Sequence, residues 1–369
     1  MQDQRWKTVR YAAKMTVFAA LCASLLIVLS PPQAVSTAGP APELAAERLS
    51  SAQSTEAAPQ AGTRLIPLGR TTGIKLFAQG PMVVGFSELE QTGTCPAKDD
   101  GLELGDVLLQ LDGQPLDGNE ALIGHLAETP RDTLCFTVLR DGEAREITVN
   151  AVYDDELDCR RIGAWVRDSV AGIGTVTFVD PVTGTFGALG HGICDADTGE
   201  LVPFGSGSLM ASCVDSVEKG KRGEPGQLCG SFDLLRDQGT LYANGEAGIF
   251  GVLRDGSLYS GLEALETAPR SALYEGEVTI VCNVSGIERE EYQARILRVY
   301  PEGGETGRDL MLEITDRRLL DQTGGIVQGM SGSPIIQDGK LVGAVTHVLV
   351  NDPTRGYGIS IEEMLKAAG

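Results

Sequence analysis

Short apolar runs separated by glycine-rich turns extend along most of this chain, and they constrain its fold more than any other feature. Glycine accounts for 47 of the 369 residues, against an average share of about 7%. No three-residue repeat accompanies the glycines, which excludes a collagen-like helix. Strand-length runs such as Gly172–Val179 and Val278–Val284 follow one another without alternating helices. This order predicts a mainly β protein built as a sandwich or a barrel.

Charge and cysteine content exclude several classes of partner. Asp and Glu number 51 against 30 Lys and Arg, which gives a net charge of −21. Such an acidic chain repels nucleic acid and anionic lipid. The eight cysteines contain no CxxC pair and only three histidines accompany them, so we expect no metal site and no cofactor. Seven cysteines lie beyond the apolar N-terminal segment, and this odd number leaves at least one of them unpaired within the chain.

The N-terminus has the pattern of an exported, tethered protein. A basic segment, residues 1–10, precedes an apolar stretch at 11–30 that is long enough to span a bilayer, and the preceding positive charge predicts a cytoplasmic N-terminus. A cleaved signal peptide is the alternative, since Ser36–Ala38 resembles a cleavage site. Residues 31–63 are rich in Ala, Pro, Ser and Gln, which predicts a flexible linker.

The next segment, 64–152, resembles a PDZ domain. The likeness is carried by GLELGDVLLQLDGQPL at Gly101–Leu116, whose Asp-Gly turn lies between apolar runs as in a hairpin. PDZ domains bind an extended peptide by strand addition and hold its carboxylate in a backbone nest. By this resemblance the nest lies around Gly69, Thr72 and Gly73. A small β-rich spacer that packs on its neighbour is the alternative.

A glycine-flanked serine is the strongest chemical motif of the chain. Ser331 stands in QGMSGSP, followed by an apolar strand. Glycines on both sides let the backbone turn sharply, and the amides of Gly329 and Ser331 can then point at one spot, where an oxyanion would be stabilised. The pattern resembles the GDSGGP-type loop of chymotrypsin-like serine proteases, which implies a double β-barrel peptidase domain. An ordinary Gly-Ser turn is the alternative.

A nucleophilic serine needs a base, and histidine is the usual one. His191 lies between glycines at the end of a strand, whereas His347 lies within an apolar strand and is expected to be a core residue. Cys194 as a cysteine nucleophile is an alternative without an oxyanion loop. The acid that would orient the imidazole is left open by spacing alone, and its candidates are Asp195, Asp215, Asp233, Asp316 and Asp352.

Three longer motifs make the resemblance to a family specific. They are GTVTFVDPVTGTFGALGHGI, GEPG at Gly223–Gly226, and ITDRRLLDQTGGIVQGMSGSPIIQDGKLVGAVTHVLVNDPTRGYGI. They resemble the stage IV sporulation protein B family, the PDZ-bearing serine peptidases of endospore-forming bacteria. The resemblance implies a peptidase domain over 153–369 with the triad His191, Asp316 and Ser331.

The same resemblance implies a biological role. Members are secreted from the forespore into the space between the two spore membranes, where they cleave themselves near the N-terminus. They then cut the regulatory subunit of an intramembrane metalloprotease, which releases a late sigma factor. Two other hypotheses stay open: a general envelope quality-control protease of the HtrA type, and a non-catalytic PDZ scaffold.

Overall fold

The computed structural model describes residues 62–300 and 307–369, apart from the side chains of residues 234 and 235. The predicted basic segment 1–10, the anchor 11–30 and nearly all of the linker 31–63 lie outside these residues. Within the described part of the chain, no helix combines the length and apolarity needed to cross a membrane.

Strands dominate the described residues, so the prediction of a mainly β protein is confirmed. The strands are β1 Arg64–Phe86, β2 Val107–Leu111, β3 Gln114–Pro115, β4 Thr133–Arg140, β5 Glu143–Asn150, β6 Val152–Asp154, β7 Cys159–Arg161, β8 Ala164–Val179, β9 Thr185–Ala188, β10 Phe204–Glu218, β11 Gln227–Gly245, β12 Gly248–Leu253, β13 Leu265–Glu266, β14 Gly276–Ser285, β15 Glu288–Val299, β16 Leu310–Ile314, β17 Pro334–Gln337, β18 Lys340–Val348 and β19 Arg355–Ser360. The helices are α1 Pro96–Asp99, α2 Asn119–Glu128, α3 Arg317–Thr323 and α4 Ile361–Ala367, with single 3₁₀ turns at Gly256–Leu258 and Arg270–Ala272.

Six of the strands close into a first ring, in the order β1-β8-β9-β12-β11-β10. The ring closes because β10 pairs with β1 in addition to β11. Its interior is filled by aliphatic and aromatic side chains that include Ile74, Val176, Phe186 and Ile249, all buried. Closure leaves no exposed sheet edge within the paired stretches, which stabilises the ring against strand addition there.

Six later strands form a second closed barrel, in the order β14-β15-β16-β19-β18-β17. These strands come from one stretch of chain, and their inward side chains form the largest buried cluster, around Tyr292, Leu312, Met330 and Ile335. Helix α3 and the loop that carries Ser331 connect β16 to β17. The motif that stood out in the sequence is therefore held between two strands of one barrel.

The segment that resembles a PDZ domain is inserted between the first two strands of the first ring. Strand β1 pairs with β8 from Ile66 to Phe86, with β10 from Gly73 to Ala78, and with β2 only at Met82. The chain then passes through α1, α2 and β2–β5, which bury a separate core around Leu108, Leu122 and Phe136, before it returns as β8. The boundary expected at 63/64 therefore falls beside a strand of the first ring, so that segment 64–152 and the following one share one sheet.

The two rings contact each other through β1 and the nucleophile loop. The Arg289 guanidinium of the second ring donates to the Pro67 carbonyl at 2.6 Å, and Thr71 is hydrogen bonded to the buried Asn283. A side chain at Gly69 would lie 2.7 Å from Val281, so the two rings approach to backbone distance there. These close contacts fix the position of one ring against the other, and with it the shape of the cleft between them.

Candidate active site

The loop that carries Ser331 adopts a conformation that depends on its glycines. Gly329 and Gly332 have φ values of +96° and +97°, a region that side-chain-bearing residues rarely occupy. A Cβ at Gly332 would lie 2.0 Å from the Thr175 carbonyl oxygen, so only glycine fits. The Gly332 amide donates to Val345 at 2.8 Å. These constraints hold the Ser331 backbone against both rings.

Two amides of this loop lack acceptors among the described residues. The neighbouring amides of Met330 and Gly332 donate to Val327 and Val345, but no acceptor faces the amides of Gly329 and Ser331. Two unpaired N–H groups on either side of Met330 are the arrangement that stabilises an oxyanion. These are the two amides that the sequence motif indicated.

Thr175, on β8 of the first ring, holds this loop in place. Its hydroxyl donates to the Gly329 carbonyl at 2.8 Å, and its own amide donates to the Ser331 carbonyl at 3.0 Å. Its carbonyl accepts from Leu189 at 3.1 Å, two residues before His191. One buried threonine therefore links the nucleophile loop to the strand that precedes the histidine, and no sequence motif indicates it.

His191 follows β9 after a tight turn. Its Nδ1 lies 2.9 Å from the Gly192 carbonyl oxygen. A carbonyl can only accept, so Nδ1 carries the proton of the neutral ring and Nε2 keeps its lone pair. Burial lowers the pKa of His191, and the hydrogen bond to Gly192 opposes this in part. The imidazole is thus neutral at physiological pH and able to accept a proton at Nε2.

A second histidine lies beside the first, which the sequence did not predict. The ring centroids of His191 and His347 are 5.0 Å apart. His347 Nδ1 is buried and has no hydrogen-bond partner among the described residues, and burial, with smaller effects of His191 and Arg308, lowers the pKa of His347 to about 4. The expectation of a satisfied core histidine is wrong, because the end of β18 opens into the cleft between the rings.

One cavity of about 430 Å³ contains both histidines and Ser331. Most of its other lining side chains are aliphatic, and they are Ile74, Val170, Ala171, Ile173, Leu189, Ile193, Ile326, Val327 and Val348. The Ser331 hydroxyl donates to the Thr346 carbonyl at 2.6 Å and makes no hydrogen bond to His191. The cavity is therefore a largely apolar cleft with a serine, two imidazoles and two free amides on its walls.

Asp316 lies away from this cavity. It caps α3, where its carboxylate accepts from the Arg318 amide at 2.9 Å and forms an ion pair with the Arg318 guanidinium at 3.0 Å. The hydrogen bond from the Arg318 side chain lowers the pKa of the Asp316 carboxyl. No hydrogen bond joins it to His191, and no carboxylate lines the described cavity. The structure therefore does not bring the third residue of the expected triad to the other two.

The other acidic candidates also have different partners or positions. The Asp195 carboxylate is buried but is paired with Arg167, and its neighbours Asp197 and Thr198 donate their amides to it at 2.9 and 3.0 Å. Asp215 and Asp352 do not line the cavity, and neither does Asp233. The position next to His191 Nδ1 is taken by the Gly192 carbonyl.

Cys194 lines the cavity, but its chemistry does not favour a nucleophile. Burial raises the pKa of its thiol, whereas a reactive cysteine needs a lowered one. All seven cysteines of the described residues are free. Within the same part of the chain, no group of three His, Cys, Asp or Glu side chains is placed to hold a metal ion.

The residues expected to form a peptide nest belong to β1, a strand of the first ring. Gly73 is paired with Ile173 on one side and Met210 on the other, and the Thr72 hydroxyl donates to the Met210 carbonyl at 2.9 Å. Gly69 faces Val281 at the junction of the rings. Both edges of β1 are occupied here, so a peptide strand cannot be added.

Asn244 is a further residue near the site that sequence reasoning missed. Its side-chain oxygen accepts from the Ile193 amide at 2.8 Å, and its amide group donates to the carbonyls of Ile193 and Val202 at 3.0 and 2.8 Å. One side chain thereby fixes the segment that follows His191. Its position near the end of β11, paired with Ile249 of β12, gives no sequence signal of this contact.

The chain is similar to known proteases over parts of its length. A curated relative, a probable periplasmic serine endoprotease DegP-like from Halomonas elongata, is 35% identical over 91 residues, which are 24% of this chain and 18% of the relative. The chain thus covers less than a fifth of that relative's length. Two solved structures are similar. The inactive form of the Rv3671c protease has 14% identity and a TM-score of 0.31, over 53% of this chain and 81% of the other. The active form of the Rv3671c protease from M. tuberculosis has 16% identity and a TM-score of 0.32, over 53% of this chain and 72% of the other.

The family match covers more of the chain. The SpoIVB peptidase S55 family matches residues 158–365, which is more than half of the sequence and includes His191, Ser331 and His347. The chain belongs to the SpoIVB peptidase S55 family.

Proposed function

We propose that this peptidase cuts internal peptide bonds with Ser331 as the nucleophile and His191 as the general base. The observation that carries the proposal is that Ser331, His191 and the free amides of Gly329 and Ser331 share one cleft. As the Ser331 oxygen bonds to the scissile carbon, its proton passes to His191 Nε2 and the carbonyl oxygen becomes an oxyanion held by the two amides. The imidazolium then gives its proton to the departing amine, and water hydrolyses the acyl-enzyme with His191 again as the base.

The serine must turn before it can react. Its hydroxyl donates to the Thr346 carbonyl in the absence of substrate, and rotation about its χ1 angle would direct the proton towards His191. Hydrogen bonds of this kind often form only in the substrate complex. Because the pKa of His191 is lowered by burial, the base is available without deprotonation at neutral pH.

The family resemblance assigns the orienting role to Asp316, whereas the contact at His191 Nδ1 belongs to the Gly192 carbonyl. A backbone carbonyl holds the productive tautomer, as a carboxylate would, but gives less stabilisation to the imidazolium. We propose that the Gly192 carbonyl fixes the tautomer in this state. Asp316 then stabilises α3, which leads directly into the nucleophile loop.

We further propose that the enzyme is a membrane-tethered, exported endopeptidase that acts in sporulation signalling. The support is the apolar segment 11–30, the linker at 31–63 and membership of the family. A chain of about 30 flexible residues has an end-to-end distance of about 30 Å, which keeps the catalytic domain near the membrane. On this proposal its substrates are its own linker, cut between neighbouring copies, and the regulatory subunit of an intramembrane metalloprotease in the space between the spore membranes.

A fluorophosphonate probe tests the chemistry. The probe should label wild-type protein and should not label Ser331→Ala, whereas Ser216→Ala, which removes an exposed serine on β10, should be labelled as wild type. Equal labelling of Ser331→Ala would exclude Ser331 as the nucleophile. Mixing Ser331→Ala protein with active enzyme tests self-cleavage: we expect the inactive copy to be cut within or just after the linker, at a rate that rises with enzyme concentration.

A second candidate role is envelope quality control, which the similarity to the DegP-like endoprotease favours. HtrA-type enzymes place the PDZ domain after the protease, whereas here the PDZ-like segment 64–152 precedes the family match at 158–365. Rapid digestion of many unfolded proteins, with no preference for a membrane-anchored partner, would support this role over signalling.

A further inference from the structure

We propose that the unpaired edge of β8, from Ala164 to Ile173, is a docking strand for the substrate, which binds as an extended segment running from the catalytic cavity to helix α2. The inference rests on the proposed peptidase function, because the occupant is the polypeptide to be cut. It adds to that function a recognition site that begins in the cleft and continues beyond it along β8.

The hydrogen-bonding groups of this edge are free. Thr175 directs its amide to Ser331 and its carbonyl to Leu189, away from β1. In an antiparallel ladder the outward groups recur at every second residue, so Ile173, Ala171 and Ser169 also point away from β1. Across this stretch β8 pairs only with β1, and these three residues have no backbone partner on the outer side among the described residues. The row of free donors and acceptors begins one step from the nucleophile loop.

The same edge joins two parts of the molecule. Val170–Ile173 form one wall of the catalytic cavity. Towards the start of β8, the Asp168 carboxylate accepts from the Asn119 amide of α2 at 2.8 Å, and the neighbouring Arg167 is held by Asp197 at 2.7 Å on the opposite face. Successive side chains of a strand point to opposite faces, so α2 and the loop around Asp197 lie on opposite faces of β8 beside the free edge.

The chemistry of the β8 edge determines which kind of ligand can bind there. A strand edge binds the main chain of an extended peptide, whatever its sequence, and the adjoining side chains select for size and polarity. The cavity end is aliphatic, which suits apolar residues next to the cut. Both rings contain only antiparallel strand pairs, and an antiparallel occupant of β8 places the residues that follow the scissile bond along the edge. Ten residues, Ala164 to Ile173, extend for about 30 Å.

A series of peptides tests this arrangement. Full-length protein is first incubated with β-casein, and the cut sites are identified by mass spectrometry. Peptides are then made with a fixed sequence before one cut and with two, five or ten residues after it. We expect kcat/KM to rise at least tenfold from two to ten residues. A rate that stops rising at two residues, or that responds only to extension before the cut, would overturn the proposal.

A pair of proline substitutions tests the edge itself. Ser169→Pro removes an outward donor without breaking the ladder to β1, since prolines are tolerated at strand edges. It should lower kcat/KM for the ten-residue peptide to the value of the two-residue peptide. Glu146→Pro is the matched control on the exposed edge strand β5, where the Asn150 amide also points outward, to Asp100 at 2.6 Å; it should change neither value.

Fluorophosphonate labelling of each variant checks that the catalytic centre is folded. If Ser169→Pro fails to fold, hydrogen exchange of the Ser169, Ala171 and Ile173 amides in Ser331→Ala protein replaces it, and the ten-residue peptide should slow their exchange at least fivefold. Wild-type protein that is not labelled refutes the proposed function. Normal labelling with unchanged exchange refutes only the docking strand.

Discussion

The two strand rings of this peptidase are built from the sequence in different ways. The second ring uses consecutive strands, from Gly276 to Ser360, and the nucleophile loop is part of that run. The first ring takes β1 from one end of a long insertion and β8 from the other. The candidate active site draws on both rings, because His191 follows a strand of the first ring and Ser331 belongs to the second. Local motifs thus indicate Ser331 and His191 separately, whereas the meeting of the two residues depends on long-range strand pairing.

The two rings also differ in the contacts that support the candidate catalytic side chains, Ser331 and His191. The Ser331 loop depends on glycines within its own motif, yet it is held in place by Thr175 of the other ring. His191 is supported by its immediate neighbour Gly192 and by Asn244 of the β11–β12 hairpin. The following predictions test how strongly each ring contributes, from the largest expected effect to the smallest.

His191→Ala should reduce kcat about 10⁴-fold or more, similarly to Ser331→Ala, because members of a catalytic unit are not additive. Single-turnover hydrolysis of a peptide ester measures the loss. His125→Ala, which changes a histidine on α2, serves as the control and should retain full activity. Substantial activity in His191→Ala, with His347→Gln inactive, would assign the base to the second ring.

Thr175→Val should lower kcat by about ten- to hundredfold with little change in KM, because the Gly329 carbonyl loses the hydroxyl that fixes the oxyanion-binding amides. Thr177→Val is a matched control two residues along the same strand. The Thr177 hydroxyl is buried without a partner among the described residues, so its removal should be neutral or stabilising. Equal effects of the two substitutions would show that Thr175 acts only through packing.

Asp316→Ala should lower the free energy of unfolding by about 1 kcal/mol through loss of a helix N-cap. Asp316→Asn, which can still cap α3, should retain the stability and the activity of the wild-type protein. Chemical denaturation and ester hydrolysis measured on the same samples separate the two effects. If Asp316→Asn folds normally yet loses activity by orders of magnitude, the carboxylate orients His191, as the family resemblance implies.

The pH dependence should reflect two half-buried, neutral imidazoles. Because the pKa of His191 is lowered, the acid limb of kcat/KM should have its midpoint below about 6.5. The unfolded state binds more protons than the native state between the unfolded and folded pKa values, so stability is greatest above about pH 6.5 and falls as the pH drops towards 4. Denaturation at pH 7.5 and 5 should show a smaller difference in His347→Gln, and an unchanged difference would contradict a neutral, half-buried His347.

Much of the candidate site could be predicted because its signals are local. Glycines at Gly329 and Gly332 are needed for positive φ angles next to Ser331, so the motif is a direct consequence of the backbone it forms. His191 was identified for a similar reason, since a turn with glycines exposes the end of its strand. The mainly β fold follows from short apolar runs and glycine turns, whose periodicity is a property of the chain.

Contacts between residues far apart in the sequence could not be predicted from it. Strand β1 begins in a segment that resembles a PDZ domain but pairs with β8, about one hundred residues later, which places Gly69, Thr72 and Gly73 inside the first ring. Thr175 and His347 gain their roles only because the two rings meet, and Asp316 falls outside the cleft because the start of α3 points it at Arg318. The sequence by itself determined the strands, the turns and the glycine-flanked loop that carries Ser331, since these depend on neighbours along the chain. The tertiary structure alone decided which distant side chains surround that serine, because strand pairing and the close approach of the two rings depend on packing between residues far apart in the sequence.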